Sequence, residues 1–182
     1  MGERRSDTRE RIQATALELF AEHGYEKTSL REIAERLHVT KAALYYHFNS
    51  KEDIVVSLFD GLIAEIDATI AWLRDQPRTT ETRRELVQRY ARLAHDSPPG
   101  MRRLLQDVRS SMRELSVGEQ LQERMRTMVR LLTDRDAPAL TQLKCVMALA
   151  SINAAMFVLQ DTDIAAEERH AAGLTLALEL VG

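Results

Sequence analysis

A chain of 182 residues that is 45% hydrophobic and 29% charged, with a formal charge of −3, can bury a substantial core and is too evenly mixed for a disordered or fibrous protein. Cys145 is the only cysteine, so no internal disulfide frames the fold. Glycines and prolines are few and strand-like alternation is missing, which makes an all-α protein the expectation.

The first predicted helix covers about residues 6–23, preceded by Arg4 and Arg5 as a short flexible arm. Residues 28–51 then read as two short helices joined by a tight turn. Ser29 can N-cap the first, with Glu32 completing a capping box, and Ile33, Ala34 and Leu37 form its apolar stripe. Ala34 is small enough for a second helix to cross closely, Val39 plugs the turn, and Thr40 can N-cap a helix from Lys41 to His47.

At about 100° per residue, with Leu44 at the centre of the buried face, Phe48 also falls inside. Ala42 and Tyr46 then point away from the core, Ala43 and Tyr45 lie on the flanks, and Lys41 occupies the exposed first turn. Such a face suits a DNA major groove. The alanines let the backbone approach base edges and offer methyl contacts to thymine, Lys41 can donate to guanine, and tyrosine hydroxyls can donate to phosphates.

The segment closely resembles the DNA-binding domain of TetR-family transcriptional repressors. The resemblance rests on Thr-Arg-Glu-Arg-Ile at 8–12, Ala-Leu-Glu-Leu-Phe-Ala-Glu-His-Gly-Tyr at 16–25, Thr-Ser-Leu-Arg-Glu-Ile-Ala at 28–34 and Leu-Tyr-Tyr-His-Phe at 44–48, followed by Ser50 and Lys51. It implies an all-helical homodimer that binds double-stranded operator DNA and releases it when a small-molecule effector enters the C-terminal body. By the same resemblance Thr28, Thr40, Tyr45, His47 and Lys51 are phosphate-contacting positions, joined by Ser29 in the DNA-binding set, while Lys41, Ala42, Ala43 and Tyr46 face the groove. Ser50 and Lys51 open the next helix, whose free backbone N–H groups favour an anion. One position departs from the family: His38 stands where a glycine is usual, so the turn requires histidine near the left-handed region, at about 1–2 kcal/mol.

Residues 1–51 hold nine Lys and Arg against eight Asp and Glu, and the remainder sixteen against twenty. The head is therefore only mildly basic. Much of its negative charge, at Glu18, Glu22, Glu32 and Glu35, lies on helices away from the groove-facing set, and the local field matters more than the sum.

Beyond residue 51, breaks at 76–79, 96–100, near 116, 134–138 and 161–163 divide the chain into further helices. Nine are expected in all, over about 6–23, 30–37, 41–47, 51–75, 80–96, 99–113, 117–133, 138–160 and 164–181. The helix-turn-helix occupies about 29–48 within a DNA-binding domain at 1–50, and 51–182 form a ligand-binding and dimerisation domain. The fourth helix connects the two. A rigid helix there converts a small displacement of the body into a change of head spacing. Gly61 within it marks a close helix crossing or a hinge, the crossing being favoured.

The last two helices are expected to pair with their symmetry mates as a four-helix dimer interface, through Leu143, Met147, Ala150, Ala154, Phe157, Leu174, Ala177, Leu178 and Val181. Effector-pocket candidates are Trp72, Tyr90, Leu105, Val108, Arg109, Met112, Met125, Met128, Asn153 and Met156, because methionines interleaved with aromatics make an adaptable apolar lining. Asn153 interrupts an apolar run, so it meets either a ligand or a partner on a neighbouring helix, the partner being favoured.

The five histidines show no metal spacing, and no cofactor is expected. Phosphate loops, nucleophile motifs and paired carboxylates are missing, so no enzyme is expected. Without a signal segment or an apolar run near the roughly 20 residues that cross a bilayer, a cytoplasmic protein with no membrane partner is expected. The reading is a ligand-released repressor that binds a palindromic operator as a homodimer. The alternative is a helical small-molecule-binding or structural dimer without specific DNA binding.

Overall fold

Proline, glycine and short polar turns interrupt the helical periodicity, and the helices stop where they occur. The computed structural model describes residues 2–96, 100–101, 104–105, 116–134, 136–159 and 162–182, with backbone alone for 2–6, 116 and 157. Eight α-helices run through them: α1 Gly2–His23, α2 Leu30–Arg36, α3 Lys41–His47, α4 Lys51–Arg74, α5 Thr80–Asp96, α6 Ser116–Leu132, α7 Ala139–Phe157 and α8 Ala166–Val181. No strand occurs among the described residues. The helix expected over 99–113 falls mostly outside them. α1 starts at Gly2, so Arg4 and Arg5 lie on helical backbone rather than on a flexible arm.

The chain divides into two compact units. One comprises Met1–Gly61 with the described residues of Pro98–Gln120; the other comprises Leu62–Ser97 and Leu121–Gly182. The division falls inside α4, at Gly61, because the first half of that helix carries head-core residues.

In the first unit Ile12, Ala16, Leu19 and Phe20 of α1, Ile33 and Ala34 of α2, Leu44 and Phe48, and Ile54, Val55 and Phe59 of α4 are all buried. The spacing in α1 and α4 is that of an apolar stripe on one helical face. Gly24 closes α1 at φ 85°, its N–H donating to the Phe20 carbonyl at 2.9 Å, a conformation that glycine enters without a Cβ clash. Gln13 ties α1 to α4, Nε2 donating to Ser57 Oγ at 2.9 Å and to the Ser57 carbonyl at 3.1 Å.

In the second unit one cluster joins Ile66, Ile70 and Leu73 of α4, Leu86, Val87, Tyr90 and Ala91 of α5, Met128 and Leu132 of α6, Cys145, Ala148, Leu149 and Ile152 of α7, and Ala177 and Val181 of α8. Two arginines cover the C-terminal end of α6: Arg83 Nε donates to the Leu132 carbonyl at 3.1 Å, and Arg78 Nη1 to the Thr133 carbonyl at 2.9 Å. Unpaired carbonyls and the negative end of the helix dipole make this a natural cation site. Burial pushes the Cys145 thiol up and so keeps it unreactive.

α7 and α8 pack closely, and glycine makes their approach possible. A Cβ on Gly173 would lie 2.6 Å from the Ala155 Cβ, and Ser151 Oγ donates across the crossing to the Gly173 carbonyl at 3.3 Å. Gly61 differs: a Cβ there would meet nothing within 4 Å. The expected close crossing at Gly61 is therefore corrected, since that glycine lies on an exposed stripe of α4.

α7 also corrects the expectation that no apolar run approaches membrane length. Ala139–Met156 reaches a mean hydropathy of 1.3 over 18 residues, with only 33% of that stretch buried. A helix apolar on more than one face produces this without a bilayer if a second protein surface covers it.

α5 and α8 meet through two histidines far apart in sequence, His95 and His170, whose ring centroids are 4.3 Å apart at an interplanar angle of 40°. Burial, with His95 alongside, holds the His170 pKa below its usual value, and Asp96 opposes the shift.

Two outcomes follow from this packing. Gly173→Ala should destabilise the protein by about 1–3 kcal/mol through overpacking. Gly61→Ala, which meets open space, should raise stability by up to about 1 kcal/mol; thermal melts of both variants check the contrast. The neutral His170 imidazole is favoured in the folded state, so the unfolded chain takes up the proton first as pH falls. Stability is then fully present above about pH 6.5 and declines below it. Urea titrations at pH 5.5 and 7.5 should show a smaller difference for His170→Gln than for the parent protein.

Candidate nucleic-acid interface

Each helix of the reading motif is fixed at its start by its own side chains. Ser29 Oγ accepts from the Glu32 N–H at 3.2 Å while the Glu32 carboxylate accepts from the Ser29 N–H at 3.4 Å, which completes the capping box. Thr40 Oγ1 caps α3 by accepting from the Ala43 N–H at 3.2 Å. Between the helices His38 adopts φ 56°, as the turn demands. The His38 N–H donates to the Glu35 carbonyl at 3.1 Å and the Val39 N–H to the Ala34 carbonyl at 3.0 Å, the paired bonds of a Schellman turn. Histidine therefore builds the turn for which the family resemblance implies glycine.

With Leu44 and Phe48 buried, α3 presents Lys41, Ala42, Ala43, Tyr45 and Tyr46 to solvent. Tyr46 is 65% exposed and Tyr45 49%. The Tyr46 and His47 rings meet edge to face at 5.3 Å. Ser29 and Thr40 are exposed as well. Each uses its oxygen as a cap acceptor and keeps its O–H proton for an outside acceptor such as a phosphate oxygen.

Two of the expected phosphate contacts have other roles here. Thr28 is only 2% exposed, and its hydroxyl reaches the Gly24 carbonyl at 2.9 Å and the Leu19 carbonyl at 3.3 Å, fastening the end of α1. Lys51 turns inward: Nζ donates to the carbonyls of Tyr25 at 2.6 Å, Thr28 at 3.0 Å and Glu26 at 3.4 Å, and lies 4.1 Å from the Tyr25 ring centroid. Three acceptors match the three protons of an ammonium, so Lys51 clamps the loop between α1 and α2. Burial lowers its pKa, with Glu26 opposing. The start of α4 is also capped internally: Ser50 Oγ accepts from the Asp53 N–H at 2.9 Å, and Asp53 Oδ2 from the Asn49 N–H at 3.0 Å. Ser50 thus takes up one of the N–H groups expected to favour an anion, and Asp53 adds a negative charge at the same helix start.

Three acidic residues of α1 and α2 have basic partners on those same helices. Glu22 pairs with Arg36 at 3.1 Å and Glu35 with Arg31 at 2.6 Å, while Glu32 lies 2.8 Å from His23 Nδ1. The Arg36 guanidinium lowers the Glu22 pKa. Such exposed pairs add little stability, but they cancel negative charge locally and leave Lys41 as the cation on the outward face of α3.

Of the effector-pocket candidates, Trp72, Tyr90, Met125, Met128 and Met156 come together in the core cluster of the second unit or pack against it. Asn153 has its partner on a neighbouring helix: Oδ1 accepts from the Tyr90 hydroxyl at 3.0 Å, and Nδ2 donates to the Leu149 carbonyl at 3.1 Å. The Arg89 guanidinium lies 4.1 Å from the Trp72 ring centroid. Leu105 belongs to the other unit. Val108, Arg109 and Met112 lie outside the described residues. No group of three or more histidine, cysteine, aspartate or glutamate side chains suited to a metal occurs among the described residues.

Of the dimer candidates, Leu143 is 56% and Met147 47% exposed, and Ala154 is exposed. Ala150, Leu174 and Leu178 are half-buried, and the Phe157 side chain lies outside the described residues. Ala177 and Val181 are corrected: both are buried in the core of their own unit, at 0% and 3% exposure. They lie on the face of α8 that packs inward, whereas Leu140, Val146 and Leu176, not among the candidates, are exposed.

A family model described as bacterial regulatory proteins, tetR family, matches residues 12–58. The probable acrEF/envCD operon repressor of Escherichia coli (strain K12) is 37% identical over 91 residues, 49% of this chain and 33% of the relative. The chain thus spans about a third of that relative's length. Among solved structures, the TetR family transcriptional regulator PfmR from Thermus thermophilus superposes with a TM-score of 0.65 at 26% identity, over 93% of this chain and 97% of that one. The transcriptional regulator FadR from Bacillus subtilis, in complex with stearoyl-CoA, gives 0.66 at 19% identity over 94% and 97%, a likeness of fold alone. Residues 12–58 of this chain thus match the tetR-family model and lie in a region similar to a repressor, and its all-helical fold is similar to that of a solved TetR family regulator.

Proposed function

We propose that this chain is a cytoplasmic, non-enzymatic repressor of transcription that binds a palindromic operator as a homodimer and is released from it by a small-molecule effector. The observation that carries the reading is the outward face of α3, where Lys41, Ala42, Ala43 and Tyr46 stand exposed on a helix capped at its start and buried along its other side. Small residues beside a cation and an aromatic hydroxyl suit base edges flanked by phosphates. Tyr45, His47, Ser29 and Thr40 border this face as phosphate partners.

A palindrome requires two heads. The exposed apolar residues Leu140, Leu143, Val146 and Met147 of α7, with Leu176 of α8, are the surface through which two copies pair. The effector occupies the apolar region around Trp72, Tyr90, Met125, Asn153 and Met156, and the apolar acyl chain of the stearoyl-CoA in the FadR complex is the kind of group that such a lining takes. α4 contributes residues to both units, so a shift of its second half on ligand binding is transmitted along one helix.

Fluorescence anisotropy with DNA from immediately upstream of the gene, against a scrambled duplex of equal length at several salt concentrations, tests the reading. Tight binding that prefers the native sequence and weakens with salt supports it. Weak binding, equal for both duplexes, would place the operator elsewhere in the genome or mean that the His38 turn does not present the reading face.

Tyr46→Ala should weaken operator binding about tenfold while changing stability by no more than about 0.5 kcal/mol. Lys51→Met should do the reverse at the level of folding, lowering stability by about 1–3 kcal/mol because three carbonyls lose their donor. A Lys51 variant that melts normally yet loses operator affinity would restore the phosphate role. Leu143→Glu should yield monomers in sedimentation velocity with unchanged helicity, since a charge is introduced on a surface exposed in the single chain.

A further inference from the structure

Arg9 belongs to α1, outside the two helices of the reading motif, yet its guanidinium sits at the end of α3. Nη1 donates to the His47 carbonyl at 3.3 Å, and the guanidinium carbon lies 4.3 Å from the Phe48 ring centroid. His47 is the last residue of α3 and Phe48 its C-cap, 2% exposed and anchored through its N–H to the Leu44 carbonyl at 3.0 Å. The final carbonyls of a helix lack partners within it and carry the negative end of the dipole, so a planar cation there is both a donor and a favourable charge. α1 is itself tied to α4 through Gln13 and Ser57. Arg9 therefore transfers a fixed position to the one end of α3 that has no side-chain cap of its own.

The surroundings decide between positioning and a direct phosphate contact. Beside Arg9 runs an open groove of about 370 Å³, lined by Arg9, Glu52, Asp53, Val56, Ser57 and Asp60. Three carboxylates on this surface repel a phosphate, and among the described residues none of them forms an ion pair with Arg9. The guanidinium is committed instead to the helix end and the aromatic ring. We propose that Arg9 is a positioning residue for DNA reading: it fixes the C-terminal end of α3 and thereby the angle at which Lys41, Ala42, Ala43 and Tyr46 meet base edges. This rests on the operator-binding reading above.

The test uses the full chain with Arg9→Gln and Arg9→Lys. Operator and scrambled-duplex anisotropy is measured across salt concentrations, and amide hydrogen exchange is measured on the DNA-free proteins. Arg9→Gln should lower operator affinity about tenfold, comparable to the loss of one base contact. Binding to the scrambled duplex and the salt slope should stay unchanged, so the specificity ratio falls, and the amides of the last turn of α3 should exchange faster. Arg9→Lys, which keeps the charge without the fork, should fall between. An equal loss on both duplexes with the salt slope reduced by about one would make Arg9 a phosphate contact and overturn the proposal. Unchanged affinity, or unchanged exchange in α3, would overturn it too. If the parent protein itself shows no operator preference, the operator-binding reading fails and the exchange comparison alone decides whether Arg9 pins α3.

Discussion

A helix of seven residues has no stability of its own in water, because the nucleation cost of its first turn is not recovered over so short a length. α3 is such a helix, and the face that it presents depends on its being held from outside. Leu44 and Phe48 hold its buried side against a core built from Ile33, Ala34 and the apolar stripes of α1 and α4. Thr40 holds its start and Arg9 its end. What is left outward is therefore defined by elimination: the residues not used in anchoring are Lys41, Ala42, Ala43, Tyr45 and Tyr46. The reading face is the complement of the anchoring face, and the α2–α3 turn sets their mutual angle, which gives the left-handed conformation of His38 its importance.

Charge in the head follows a similar division. Its basic and acidic residues nearly balance, and a near-neutral domain approaches a polyanion poorly unless the signs are separated in space. The structure separates them by partner choice. Glu22, Glu32 and Glu35 each have a basic partner on α1 or α2, while Asp53 is folded into the start of α4. Lys51 is a half-buried cation turned inward to three loop carbonyls and the Tyr25 ring. Its charge is thus spent on holding the loop between α1 and α2.

Local features were legible in the sequence and distant ones were not. The capping box at Ser29 and Glu32, the Thr40 cap and the positive φ of His38 each depend on residues within about five positions, so spacing alone determines them. Helix limits followed prolines and polar turns for the same reason. Lys51 reaches carbonyls 23 to 26 residues away, Arg9 a carbonyl 38 residues away, and His95 stacks on His170; no periodicity encodes such meetings. The glycines show a further limit. Gly61 and Gly173 both interrupt helices, but only Gly173 faces a neighbouring backbone, and that depends on which stripe of each helix turns inward. Ala177 and Val181 were assigned to the wrong face of α8 because apolar residues occur on both of its faces.

α7 shows how packing within one chain prepares a surface for another. It is apolar nearly all round, yet only one face is needed to fill its own core, through Cys145, Ala148, Leu149 and Ile152. The other face carries Leu140, Leu143, Val146 and Met147 exposed. A chain of this size seldom leaves such a contiguous patch in water, and a bilayer-length stretch at a mean hydropathy of 1.3 is the composition that results when one helix is covered from two sides. Its inner side is fixed independently by the crossing at Gly173, where α8 approaches so closely that no Cβ fits. That crossing leaves α7 little freedom to rotate its outer residues inward. The exposed apolar face is thus a consequence of the tight internal packing, and it is the surface on which the proposed pairing of two copies rests.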